Sequence, residues 1–196
     1  MTTPDLTFVL GGARSGKSMH AERLATASTK PVTYIATARG ADAEFAARIT
    51  HHRARRPAHW TLVETGADLA RALRDADGDE RCVLIDCLTL WLATLLCPID
   101  STEAVDAACG EAEAHSADQV AARFDSFEVA LTGARGKIIV VSNEIGLGVV
   151  PLGSVTRSYV DELGRLNQRV AAVAKDVTLM VAGLPVVVKG ANAPWC

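Results

Sequence analysis

A chain of 196 residues, 49% of them apolar and 22% charged, has enough apolar material for one buried core and no more charge than an ordinary water-facing surface carries. Its net charge of −3 offers no basic field for DNA, RNA or an anionic membrane, and no apolar run approaches the roughly 20 residues that span a bilayer. Met1-Thr2-Thr3-Pro4-Asp5 lacks the basic start and apolar stretch of a signal peptide, so a cytoplasmic protein is expected. The cysteines Cys82, Cys87, Cys97, Cys109 and Cys196 form no C-x-x-C pair and no zinc spacing, and reduced thiols are expected.

Short apolar runs alternate with longer helical patterns, which predicts an α/β fold around a parallel sheet. In chain order, a strand at Leu6–Leu10 leads into a helix at Lys17–Ala27. A strand at Val32–Ala36 is followed by helices at Asp42–Arg55 and Asp68–Ala76. Cys82–Asp86 and Lys137–Ser142 contain the unbroken apolar runs Val83-Leu84-Ile85 and Ile138-Ile139-Val140-Val141, as central strands covered on both faces should. Between them lie helices at Thr89–Leu96 and Glu103–Leu131. The stretch from Cys97 to Ser116, rich in alanine and acid, reads either as an exposed helix or as a connection. A helix at Val155–Lys175 carries Tyr159, Leu163, Leu166, Val170 and Val173 at steps of three and four, one buried stripe. Strands at Asp176–Val181 and Val186–Lys189 complete the set. No repeat or linker interrupts it, so residues 1–196 are expected to form one domain.

Residues Gly11, Gly12, Ala13, Arg14, Ser15, Gly16, Lys17 and Ser18 read G-x-x-x-x-G-K-[ST] between a strand and a helix, a complete phosphate-binding loop in the context it requires. The glycines let the backbone turn its N–H groups inward, and the helix end adds positive potential. Lys17 is placed to reach the β- and γ-phosphates of a nucleotide, and Ser18 to ligate Mg²⁺. Asp86, at the end of an apolar strand, is a second Mg²⁺ partner, or else the cap of the helix that follows. Thr89 follows at the same sheet edge.

Glu44, Arg48, His51, His52 and Arg55 share one polar helix face, which Pro57 terminates. A solvated charged face is the plain interpretation. The chemical one is that a neutral imidazole attacks the α-phosphate of a nucleotide, giving a phosphoramidate and pyrophosphate while the flanking arginines neutralise developing charge. Spacing does not choose between His51 and His52, which project about 100° apart.

Taken together, the loop at 11–18, Tyr34-Ile35-Ala36-Thr37, Arg48-Ile49-x-His51-His52, and Arg56-Pro57-x-x-Trp60-x-x-x-Glu64 resemble adenosylcobinamide kinase / adenosylcobinamide-phosphate guanylyltransferase. Asn143-Glu144-Ile145-Gly146-Leu147-Gly148-Val149-Val150-Pro151 and Asp161-Glu162-Leu163-Gly164-Arg165-Leu166-Asn167-Gln168-Arg169 extend the resemblance over nearly the whole chain. It implies a RecA-like P-loop fold and two reactions of adenosylcobalamin biosynthesis. ATP or GTP phosphorylates adenosylcobinamide; GTP then guanylates a histidine, and GMP passes on to give adenosylcobinamide-GDP. The resemblance maps the nucleophile to His51. It maps nucleotide contacts to the phosphate loop, Ala36, Thr37, Ala38, His52, Arg53, Ala54, Arg55, Glu64 and Asp86, and implies a homotrimer. Asp86 stands where some members carry glutamate, and Cys97 to Phe124 and the tail after Gly190 match poorly.

Asn143 to Gly148 follow a strand end, where parallel sheets bind ligands, and suit either a loop that closes over substrate or a plain turn. No Asn-Lys-x-Asp motif reads guanine. Asn167 and Gln168 interrupt an amphipathic helix; exposed they need nothing, buried they need partners. Trp60 and Trp91 are expected to pack rather than stack on a corrin ring. The alternatives are a P-loop kinase of another small alcohol without guanylyl transfer, and a nucleotide-binding regulatory protein without transfer chemistry. The C-terminal Ala191 to Cys196 are expected to fray.

Overall fold

The computed structural model describes residues 3–37, 57–96, 115–191 and 193. Along the chain these form β1 (Leu6–Gly11), α1 (Lys17–Ala27), β2 (Val32–Ala36), β3 (Thr61–Glu64), α2 (Leu69–Ala76), β4 (Cys82–Asp86), α3 (Leu88–Leu96), α4 (Ala117–Thr132), β5 (Lys137–Asn143), α5 (Ser154–Val173), β6 (Asp176–Val181) and β7 (Leu184–Lys189). One sheet takes the strands in the order β3-β2-β4-β5-β1-β6-β7. Every neighbouring pair is parallel except β6 and β7, which are antiparallel.

Alternation along the strands divides the core into two layers. Leu6, Phe8, Ile35, Val83, Ile85, Ile138 and Val140 face a layer shared with α2, α3, α4 and α5. Val9, Val32, Tyr34, Cys82, Leu84, Ile139 and Val141 face the other side, against Ala21 and Ala25 of α1. Central strands therefore supply apolar residues to both faces, which is why their sequences read as unbroken runs. In the larger layer Trp91 is fully buried against Phe124 and Phe127, and its indole N–H donates to the Ala67 carbonyl at 3.0 Å. Trp60 is buried in the smaller layer. Both tryptophans pack, as expected.

The α5 stripe is also found: Leu163, Leu166 and Val170 are buried, with Tyr159 and Val173 packed at its margins. The start of α2 follows a side-chain cap. Asp68 is not the first helical residue but the cap of α2, accepting from the Arg71 N–H at 3.1 Å.

Three expectations need correction. The helix from Glu103 to Leu131 does not run through Ser116, which is extended (φ −61°, ψ 160°). Its hydroxyl accepts from the Gln119 N–H while the Gln119 side chain accepts from the Ser116 N–H, and this reciprocal cap starts α4 at Ala117. The strand β3 is an addition: Thr61-Leu62-Val63-Glu64 is a short, largely exposed edge, so it carries neither a buried run nor alternation. At the C-terminus Ala193 does not fray; it is buried and its N–H donates to the Gly190 carbonyl. The helix expected at Asp42–Arg55 and residues 97–114 lie outside the described residues.

Candidate active site

β1 delivers the phosphate-binding loop to the C-terminal edge of the sheet, with β5 on one side and β6 on the other; Gly11 is in register with Asn143 and with Met180. A Cβ at Gly11 would stand 2.4 Å from Ser15 Oγ and 2.9 Å from the Met180 carbonyl, so only glycine fits. At Gly12 a Cβ would meet nothing within 4 Å, which leaves that backbone open to approach. Arg14 (φ 56°) and Gly16 (φ 91°) take left-handed conformations, the kind of backbone that turns successive N–H groups into a concave anion nest. No side chain caps α1 at Gly16, so the helix end presents its dipole to whatever sits in the nest.

Two backbone bonds brace this loop from outside. The Gly183 N–H, in the β6–β7 turn, donates to the Ser15 carbonyl at 3.0 Å, and the Glu144 N–H, after β5, donates to the Gly11 carbonyl at 3.1 Å. Ala182 and Gly183 both have positive φ (51° and 83°), the mirror-image turn that suits a two-residue hairpin. The antiparallel β7 thus holds in place a turn that supports the loop.

Lys17 folds its ammonium back to the Gly12 carbonyl at 3.1 Å. Burial lowers its pKa, and the neighbouring Cys87 and Asp86 oppose that shift. Asp86 ends β4, two strands away from β1 because β5 lies between. Its carboxylate receives the Tyr34 hydroxyl at Oδ2 (2.7 Å) and faces the Ser18 hydroxyl at Oδ1 (3.5 Å, long for such a bond). The following Cys87 N–H goes instead to the Thr37 Oγ1 at 3.0 Å. Asp86 is thus turned toward the loop rather than onto its own helix.

A hydroxyl and a carboxylate are hard oxygen donors, and among the described residues no cluster of three or more His, Cys, Asp or Glu side chains gathers to hold an ion. Such a sparse set fits Mg²⁺, which keeps several waters and takes further oxygens from phosphate.

The sheet brings further expected residues to the same edge. Ala36 is in register with Glu64 on one side and Asp86 on the other, with Glu64 exposed at the end of β3. Thr37 is buried, and its hydroxyl donates to the Cys87 carbonyl at 2.7 Å. Ala13, Arg14 and Gly12 are exposed on the loop. Ala38, His51, His52, Arg53, Ala54 and Arg55 lie outside the described residues, as do Glu44 and Arg48.

The structure adds Tyr34 and Tyr159 to the site and shows how residues already singled out there are held. One group surrounds Asn143, whose N–H donates to Thr89 Oγ1 (3.0 Å) and whose carbonyl accepts from Asn167 Nδ2 (3.0 Å), while the Tyr159 hydroxyl donates to the Thr89 carbonyl (2.7 Å). Asn167 is buried and Gln168 exposed, so the polar interruption of α5 was the available signal, and one of the two residues carries it. Beyond this anchor, Leu147, Val149 and Leu152 are exposed. A groove of about 370 Å³ between Leu96, Val155 and Tyr159 lies off the phosphate loop.

The strand order, the loop and the braced acid together make this a P-loop NTPase fold. Among the described residues no helix is long and apolar enough to cross a membrane. The chain is similar to the Pyrococcus horikoshii OT3 protein of Project ID PH0250 in fold alone, with a TM-score of 0.53 at 8% identity over 97% of this chain and 89% of that one. Closer in sequence is the bifunctional adenosylcobalamin biosynthesis protein CobP of Pseudomonas aeruginosa, 50% identical over 183 residues, which cover 93% of this chain and 96% of the relative. The bifunctional adenosylcobalamin biosynthesis protein CobU of Escherichia coli K12 is 38% identical over 185 residues, 94% of this chain and 99% of the relative. Residues 7–188 match the family described as cobinamide kinase / cobinamide phosphate guanyltransferase. With that match over most of its length, the chain belongs to the cobinamide kinase / cobinamide phosphate guanyltransferase family.

Proposed function

We propose that this chain, acting as one P-loop domain over residues 1–196, performs two successive transfers in adenosylcobalamin biosynthesis. The observation that carries the proposal is the phosphate loop of Gly11–Ser18 facing the Tyr34-anchored Asp86, in a chain of this family. In the first transfer the hydroxyl of adenosylcobinamide attacks the γ-phosphorus of ATP or GTP and loses its proton, and the nucleoside diphosphate leaves. Lys17 and the loop N–H groups hold the transferring phosphoryl group, where they act mainly by position and charge. Ser18 and Asp86 would hold Mg²⁺, which supplies neutralisation of phosphate charge when bound.

In the second transfer a nitrogen of His51 attacks the α-phosphorus of GTP and pyrophosphate leaves. A phosphate oxygen of adenosylcobinamide phosphate then attacks the same phosphorus, restoring the histidine and forming adenosylcobinamide-GDP. His52, Arg53, Ala54, Arg55, Ala36, Thr37, Ala38 and Glu64 are inferred to contact the nucleotide. The working unit we infer is a cytoplasmic homotrimer.

The test is covalent. Wild type incubated with GTP labelled on the α-phosphate and then denatured should retain label that survives alkali and is lost in acid. His51→Asn should lose the label and guanylyl transfer yet keep phosphorylation of adenosylcobinamide. Absence of label in wild type would favour a kinase of another alcohol, and retained label in His51→Asn would move the nucleophile to His52.

A further inference from the structure

Tyr34 and Asp86 meet because of register. β2 and β4 run parallel with Ala36 opposite Asp86 and Tyr34 opposite Leu84. Tyr34, Ala36, Leu84 and Asp86 all point to the α1 side of the sheet, since alternate residues share a face. The residue directly across from Asp86 is therefore an alanine, too small to fill the space, and the diagonal neighbour reaches past it. Tyr34 is 3% exposed, in the layer that holds Val9, Ala21 and Leu84. Its hydroxyl reaches the polar edge, 2.7 Å from Asp86 Oδ2. A phenol donating to a carboxylate at that distance makes a charge-assisted bond, stronger and more directional than a neutral one. With Oδ2 fixed, Oδ1 is left facing Ser18 Oγ at 3.5 Å, across the first turn of α1.

We propose that Tyr34 is a positioning residue: it locks the Asp86 carboxylate so that Oδ1, and not the whole freely rotating group, is presented with Ser18 to the nucleotide-borne divalent cation. The proposal rests on the role assigned above to Ser18 and Asp86. A buried tyrosine in a predominantly apolar layer places its one polar side-chain atom where the site needs a fixed acceptor. Outer groups of this kind set how well a ligand holds its metal, and their removal typically weakens affinity by about ten- to a hundredfold.

The experiment measures Mn²⁺ by electron paramagnetic resonance in complexes of the full chain with a non-hydrolysable GTP analogue. Wild type, Tyr34→Phe, Asp86→Asn and the double variant are titrated, and thermal melting is recorded for each. Tyr34→Phe keeps the ring in its layer and removes only the hydroxyl, so a folded protein is expected. Its Mn²⁺ affinity should fall by about tenfold, with analogue affinity in the absence of metal unchanged. In the Asp86→Asn background the same change should have almost no further effect, because the tyrosine acts through that carboxylate.

An unchanged Mn²⁺ affinity in Tyr34→Phe, beside a weakened Asp86→Asn, overturns the proposal and leaves the assignment of Asp86 standing. An equal loss from Tyr34→Phe in both backgrounds also overturns it, since a general packing defect would behave that way. Wild-type affinity in Asp86→Asn itself removes Asp86 from the metal site, and the proposal with it.

Discussion

The Thr37 hydroxyl closes a two-sided clamp on Cys87, donating to its carbonyl at 2.7 Å and accepting from its N–H at 3.0 Å. One side chain at the end of β2 thereby satisfies both backbone groups of the residue that follows Asp86, and it is buried while doing so. Thr37→Val keeps the shape and removes both bonds. Stability should fall by about 2 kcal/mol, because the buried Cys87 N–H loses its partner while the carbonyl keeps the N–H groups of Leu90 and Trp91, and metal-dependent nucleotide binding should weaken because the turn carrying Asp86 loosens. Urea denaturation and calorimetric titration with GTP and Mg²⁺ check the two parts separately.

The glycines at 11 and 12 should respond oppositely. Gly11→Ala drives a methyl group into Ser15 Oγ and the Met180 carbonyl, and should cost about 1–3 kcal/mol of stability, as over-filled sites do. Gly12→Ala meets open space; its stability should stay within about 0.5 kcal/mol of wild type, while nucleotide affinity falls as the methyl occupies the approach to the loop. Equal destabilisation by both substitutions in a melting experiment would show that the loop backbone is not arranged as described.

Lys17→Ala should leave the fold nearly intact, since among the described residues the ammonium's hydrogen bond is to a loop carbonyl, that of Gly12. GTP should bind at least about tenfold more weakly, the loss expected for a hydrogen bond to a charged group, and both transfers should fail. Near-normal affinity by calorimetry would disprove the role given to this side chain.

Burial raises the Cys87 thiol from an ordinary 9.0 to about 11, with Asp86 adding to the shift. A raised value in the folded state means the thiol stays neutral there after the unfolded chain has begun to ionise. Its stabilising effect is complete below pH 9 and is lost as pH climbs from 9 toward 11. The loss should approach about 3 kcal/mol, since each unit corresponds to about 1.4 kcal/mol. Cys87→Ala should lack that part of the alkaline decline; superimposable pH–stability slopes for the two proteins between pH 9 and 11 would refute it.

What the sequence disclosed depended on how local the determinant was. The phosphate loop is eight consecutive residues between a strand and a helix, and the structure places it there. Val83-Leu84-Ile85 and Ile138 to Val141 announced central strands because both their faces are covered. β3 escaped notice because an exposed edge strand has no such constraint. The link from Tyr34 to Asp86 spans 52 positions and depends on the register of two strands, which no pattern along the chain reveals. Asn167 lay between these cases: its misfit in an apolar stripe was visible, but its bond to the Asn143 carbonyl needed the packing of α5 against the end of β5.

The reciprocal cap at Ser116 and Gln119 makes α4 self-starting. Its first turn is defined by four residues of its own, so the phase at which Phe124 and Phe127 strike Trp91 does not depend on what comes before. The register in which α4 meets Trp91 is therefore written into the opening turn of that helix itself, by two side chains that complete each other's hydrogen bonds.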